Sequence, residues 1–118
     1  MVSNSDENFQ LWITLRNDFR KAKKEKNYKD IIYYANKIIE LDRKEKSIGI
    51  MVSIFLKEIG DAEYKLMNVA ESIKYFELAI KSFQEYRATH KLNKPDDFLK
   101  DIQVVENKIK KVLKDKER

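Results

Sequence analysis

The stretch GDAEYKLMNVAESIKYFELAI, residues 60–80, reads as the end of one helix, a turn at Met67-Asn68 and most of a second helix. Ile73, Phe76 and Ile80 recur at i, i+3 and i+7, the spacing of one helical face. Asn68 with Glu71 three residues on is a helix start. An Asn side chain can accept a bond from an exposed backbone N–H, and the acid suits the positive helix end. Small residues stand at Gly60, Ala70 and Ala79, bulky ones at Tyr64, Ile73, Phe76 and Ile80. We expect the small residues to let two antiparallel helices approach closely and the bulky ones to fill the space around them.

Working outward, the same period continues on both sides. Before Gly60, the residues Ile48, Val52, Phe55, Ile59, Ala62 and Leu66 make one stripe. It predicts a third helix of about nineteen residues, roughly 28 Å long, that runs through SIGIMV (47–52). Trp12, Leu15, Phe19 and Ala22 mark a first helix that ends near KEKN. Ile31, Ile32, Ala35, Ile38 and Ile39 mark a second that ends near Asp42. Val69 to Phe83 is the fourth. A fifth follows Pro95 with Phe98, Ile102, Val105, Ile109 and Val112. Asp96 and Asp97 after that proline read as first-turn acids, and KKVLKDKER (110–118) puts cations at the negative helix end.

Composition agrees. The 118 residues allow one domain, and 42% hydrophobic content is enough for a core. Two glycines and one proline are too few for the turns of a sheet protein. The chain has no cysteine, which removes disulfides, thiolate metal sites and a Cys nucleophile. MVSNSDENFQLWITL lacks the basic and apolar regions of a signal peptide, and no apolar run approaches the ~20 residues of a membrane span. The expectation is a cytoplasmic protein without a membrane segment. A net charge of +5 permits an acidic partner without requiring one.

NYKDIIYYANKIIELD (27–42) can be laid over NVAESIKYFELAIKSF (68–83). Asn27 then meets Asn68, Ile32 meets Ile73, Tyr34 meets Tyr75 and Ile39 meets Ile80. The helices before them match too, Leu15 to Leu56 and Lys24 to Lys65. Two copies of one helix–turn–helix unit follow, and such units stack because neither can bury its apolar faces alone.

On these residues the chain resembles the tetratricopeptide repeat family. The second copy shows the pattern best, with Leu56, Ile59 and Gly60, then Tyr64, a turn, Ser72, Phe76 and Ala79. The first copy departs from it: Phe19 replaces the glycine, Ile31 and Ile38 the small residues, and Ala35 the aromatic. Tyr28 and Val69 are 41 positions apart, against a family period of about 34. The resemblance implies an all-α domain over 1–118, with antiparallel helix–turn–helix repeats at about 12–42 and 47–83 and a capping helix at about 96–114, five helices in all.

It also implies a concave groove, lined by the first helix of each repeat, that holds a partner segment. Carried over, the groove residues are Ile13, Arg16, Arg20, Lys23 and Lys24 from the first copy, and Ile54, Lys57, Asp61, Tyr64 and Lys65 from the second. Arg16 and Lys57 are expected to be exposed. The set is mostly basic, so an acidic, partly apolar segment of another protein is the expected ligand. A chaperone-type carboxylate clamp is not expected: Arg20 and Asp61 stand at or beside the groove asparagine positions, and no third repeat exists.

Chemistry offers less. His90 is the only histidine and is expected on the surface; one histidine cannot build a metal site without convergent carboxylates. Gly49 and Gly60 are eleven apart on one predicted helix and form no phosphate loop. Trp12, with Phe9 near it, is expected to pack in the core. We therefore expect no enzyme, no cofactor and no metal. The alternatives are a homo-oligomer formed through the long third helix or the C-terminal helix, and nucleic-acid binding through FRKAKKEKNYK (19–29) and the basic C-terminus. The acids Glu25, Asp101, Glu106 and Asp115 dilute that second charge pattern.

Overall fold

The computed structural model describes residues 4–116. Those residues fold into five helices: α1 (Asn4–Lys24), α2 (Tyr28–Lys44), α3 (Val52–Lys65), α4 (Val69–Thr89) and α5 (Leu99–Lys116). Each helix packs antiparallel on the next, and no strand occurs among the described residues. α1 begins two turns before Trp12, with Asp6 and Glu7 at its positive end and Lys21, Lys23 and Lys24 at its negative end.

The two tight turns close in the same way. Lys26 takes a left-handed φ of 56°, and Met67, 41 positions on, one of 68°. Asn27 N–H reaches Ala22 O at 2.9 Å and Lys26 N–H reaches Lys23 O at 3.1 Å. Asn68 N–H reaches Glu63 O at 2.9 Å and Met67 N–H reaches Tyr64 O at 3.0 Å. These paired bonds satisfy the last carbonyls of α1 and α3 and reverse the chain within three residues.

The caps of the following helices differ. Asn27 Oδ1 accepts from Asp30 N–H at 3.2 Å, and Asn27 Nδ2 donates to the Asp30 carboxylate at 2.8 Å. Asn68 makes no side-chain cap; its Nδ2 donates to Glu63 Oε1 at 3.3 Å instead. The first turn has Ala22 where the second has Glu63, so only Asn68 meets a carboxylate on the preceding helix, while the carboxylate that Asn27 meets, Asp30, belongs to the helix it caps.

α3 and α4 meet at small residues. Gly60, Ser72 and Ala79 are buried, and Ser72 Oγ donates to Gly60 O at 2.8 Å. A Cβ built on Gly60 would lie 2.6 Å from two ring carbons of the buried Phe76. The helix-propensity argument makes Gly60→Ala tolerable; this contact overturns it. Ala70 is exposed and takes no part in the close approach.

The expected long third helix is not present. α3 starts at Val52, after a 3₁₀ turn at Lys46–Ile48 and a left-handed Gly49 at φ 76°. The seven positions beyond the family period thus belong to a connection, which the side chains pin. The Glu45 carboxylate accepts from Ser47 Oγ at 2.7 Å and from Asn8 Nδ2 at 3.3 Å, and Lys46 pairs with Asp42 at 2.9 Å. Ile48 and Ile50 still pack on the core, so their spacing reports burial without reporting helix. Asp97 is likewise not a first-turn acid. Its carboxylate accepts N–H from Asn93 and Lys94 at 3.0 Å, and α5 starts two residues later.

The core has two parts. One joins α1, α2 and α3 around Phe19, Ile38, Phe55 and Ile59; the other joins α4 and α5 around Phe76, Phe83, Val105 and Val112. Leu56 packs against both. Contacts also skip one helix. Phe55 of α3 meets Phe19 edge-on at 5.1 Å and Trp12 at 6.0 Å, while Lys108 of α5 reaches Asp61 of α3. α1, α3 and α5 therefore form one layer of parallel helices, with α2 and α4 behind them.

Candidate functional site

The shared face of α1, α3 and α5 carries the residues singled out from the sequence, and it treats them unequally. Arg20, Lys24 and Lys65 are exposed, and Ile54 is 42% exposed. Ile13 is half-buried. Arg16 and Lys57 are half-buried as well, not exposed as expected. The Arg16 guanidinium lies over the Trp12 ring at 5.5 Å, which covers its stem and buries its Nε.

Three of the ten are engaged by neighbouring helices. Lys23 Nζ pairs with the buried Glu58 at 2.7 Å. Asp61 Oδ1 pairs with Lys108 Nζ at 3.0 Å. The Tyr64 hydroxyl donates to Asp115 Oδ2. That hydrogen bond, then burial, then the charge of Asp115 raise the Tyr64 pKa above its ordinary value. The phenol stays protonated at neutral pH, so the pair acts as a tie between α3 and α5. Tyr34 is also raised, first by burial and then by the fields of Asp18 and Asp30. Glu45 is lowered by its bonds from Ser47, Ser5 and Asn8.

Positive charge is left where these ties are absent. Among the described residues Arg16, Arg20, Lys24, Lys57 and Lys65 make no ion pair, whereas Lys23 and Lys108 are neutralised.

Two apolar members were missed from the sequence. Phe9 is 47% exposed and shares the stripe Phe9, Ile13, Arg16, Arg20 at i, i+4, i+7 and i+11. It does not join Trp12 in the core. Val104 is 42% exposed and shares the stripe of Lys108, Lys111 and Asp115, two of which touch α3. Both stripes are visible as spacing. What the spacing lacks is a sign that the core is satisfied by other residues of the same helix.

A cleft of about 480 Å³ opens at one end of this layer, between Tyr64, Lys65 and Met67 on one side and Val112 and Asp115 on the other. The arrangement offers apolar footing and fixed positive charge. Among the described residues no group of three His, Asp or Glu side chains could hold a metal ion. His90 stacks on Tyr86 at 3.9 Å, with its Nδ1 2.9 Å from Thr89 Oγ1. Among the described residues no helix is long and apolar enough to cross a membrane. No protein-family model, no curated protein and no solved structure matches the chain.

Proposed function

We propose that the chain is a tetratricopeptide-like, non-catalytic binding module of the cytoplasm, and that it takes an acidic, partly apolar segment of another protein along the face of α1, α3 and α5. The observation that carries this reading is the alternation on that face. Phe9, Ile13, Ile54 and Val104 supply apolar contact, while Arg16, Arg20, Lys24, Lys57 and Lys65 lack an ion pair. The equivalence of the two turns and the close approach at Gly60 support the repeat part of the reading. Asp61 and Tyr64 then serve to seat α5, and ligand contact falls mainly on α1 and the near side of α3.

Exposed charges steer and select more than they hold, so affinity is modest and falls with salt. The test is fluorescence anisotropy with synthetic peptides that alternate Asp or Glu with Leu or Phe, at ~50 and ~200 mM salt. Arg20→Glu with Lys24→Glu is expected to weaken binding about tenfold without moving the denaturation midpoint, since both side chains are exposed. Lys110→Glu with Lys114→Glu on α5 is expected to leave it intact. The reading fails if the α5 pair abolishes binding and the α1 pair does not. Generic DNA and RNA in the same assay distinguish the nucleic-acid alternative, which requires tight binding with a steep salt slope. Within residues 19–29, Lys23 is spent on Glu58, while Arg20, Lys21, Lys24, Lys26 and Lys29 are exposed and make no ion pair among the described residues, so the salt dependence in this assay decides between the two partners.

A further inference from the structure

A second surface lies at the α4–α5 edge, outside the face just described. The core stripe of α5 is Ile102, Val105, Ile109 and Val112. A second stripe, Leu99, Ile102, Glu106, Ile109 and Leu113, follows the alternating three- and four-residue spacing of a helix–helix seam. α4 buries only part of it, and Leu99 and Leu113 remain 47% and 44% exposed. α1 and α5 are the two terminal helices, and each packs mainly on a single neighbour, α2 and α4 respectively. α5 packs on α4 and ties to α3, and nothing covers its outer side. A cleft of about 460 Å³ runs there, with Gln84, Arg87 and Ala88 of α4 opposite Leu99, Ile102 and Glu106 of α5.

The charges in this cleft indicate what fits it. Arg87 uses one guanidinium nitrogen on the Asp97 carbonyl, and among the described residues neither Arg87 nor Glu106 has an ion pair. One patch thus presents a cation on α4, an anion on α5 and leucines beside them. A two-fold axis through such a patch sets each Arg87 against the other copy's Glu106 and brings the leucines together. We infer that this edge is a self-complementary interface and that its occupant is a second copy of the chain. The inference stands independently of the binding face proposed above.

The apolar seam is one helix long, about 27 Å for 18 residues. With the adjoining α4 residues it lies toward the small end of specific interfaces, which bury about 800 Å² per partner. The dimer is accordingly weak, with dissociation in the micromolar range.

Sedimentation equilibrium of the full chain from ~10 μM to ~1 mM tests this. The average mass is expected to rise with concentration from 14.1 kDa toward twice that value. Leu113→Glu is expected to hold the mass at the monomer value with an unchanged circular dichroism spectrum, because the side chain is exposed. Glu106→Arg is expected to weaken association about tenfold by setting like charges face to face. Adding Arg87→Glu to it is expected to restore association, which reciprocal pairing requires and a change of net charge does not explain. If the double variant loses helix because the Arg87–Asp97 bond is lost, the two single variants decide. A monomer at every concentration overturns the inference. So does association that ignores Leu113→Glu, or that is abolished by Ile54→Glu instead.

Discussion

A side chain at residue 60 would occupy the space of the Phe76 ring, only 2.6 Å from its Cδ1 and Cε1. Phe76 is fully buried, so the ring cannot swing into solvent to make room. The gain in helix propensity on Gly60→Ala, up to ~1 kcal/mol, is smaller than the ~1–3 kcal/mol that overpacking costs. We expect a net loss of stability, read as a lower denaturant midpoint. A smaller Phe76→Leu partner is expected to recover part of it in a double-mutant cycle. The two asparagines give a second comparison. Asn27→Ala removes a real cap and should cost about 1 kcal/mol, whereas Asn68→Ala removes only a side-chain bond to Glu63 and should cost clearly less. Equal losses at both sites would mean that Asn68 also caps its helix. The small-residue contact was legible in the sequence, because Gly60 and Ala79 each stand beside the apolar stripe of their own helix, Gly60 next to Ile59 and Ala79 next to Ile80. The asymmetry of the caps was not, because it depends on where Glu63 points.

At the scale of elements, the connection between α2 and α3 separates spacing from conformation. Ile48 and Val52 continue the stripe of α3, yet Gly49 between them sits in the left-handed region and ends any helix there. Apolar spacing records which residues face the core; the glycine was the local sign that the backbone turns. The Glu45 carboxylate holds this connection to the start of α1. Its folded pKa lies below the ordinary carboxylate value of about 4.3. A depressed carboxylate contributes stability that is present above the unfolded value and lost as pH falls through the folded one. We therefore expect the acid side of the stability profile to fall below pH ~4.3, and Glu45→Gln to flatten part of that fall. An identical profile in the variant would remove Glu45 from the connection's stability. α5 reveals a further limit of reading by spacing. Its core stripe was legible, but its docking against Asp61 and Tyr64 is a tertiary event that depends on the 90–98 connection.

The whole molecule measures 58 × 36 × 20 Å with a radius of gyration of 15.4 Å, above the roughly 13.5 Å of a compact chain this long. A stack of helices in two layers has that shape, and it leaves one broad face on α1, α3 and α5. The sequence marked the basic residues of that face but not which of them the fold neutralises, since Lys23 and Asp61 find partners 35 and 47 positions away. The proposed binding role concerns the residues left unpaired. Its most direct measurement is an amide chemical-shift titration of the full chain with a peptide that alternates acidic and large apolar residues. Saturable shifts are expected at Ile13, Arg16, Arg20, Lys24, Ile54 and Lys57, with α4 unmoved. Shifts confined to the outer edge of α4 and α5, or none at millimolar peptide, would contradict the proposal that this face is the binding surface.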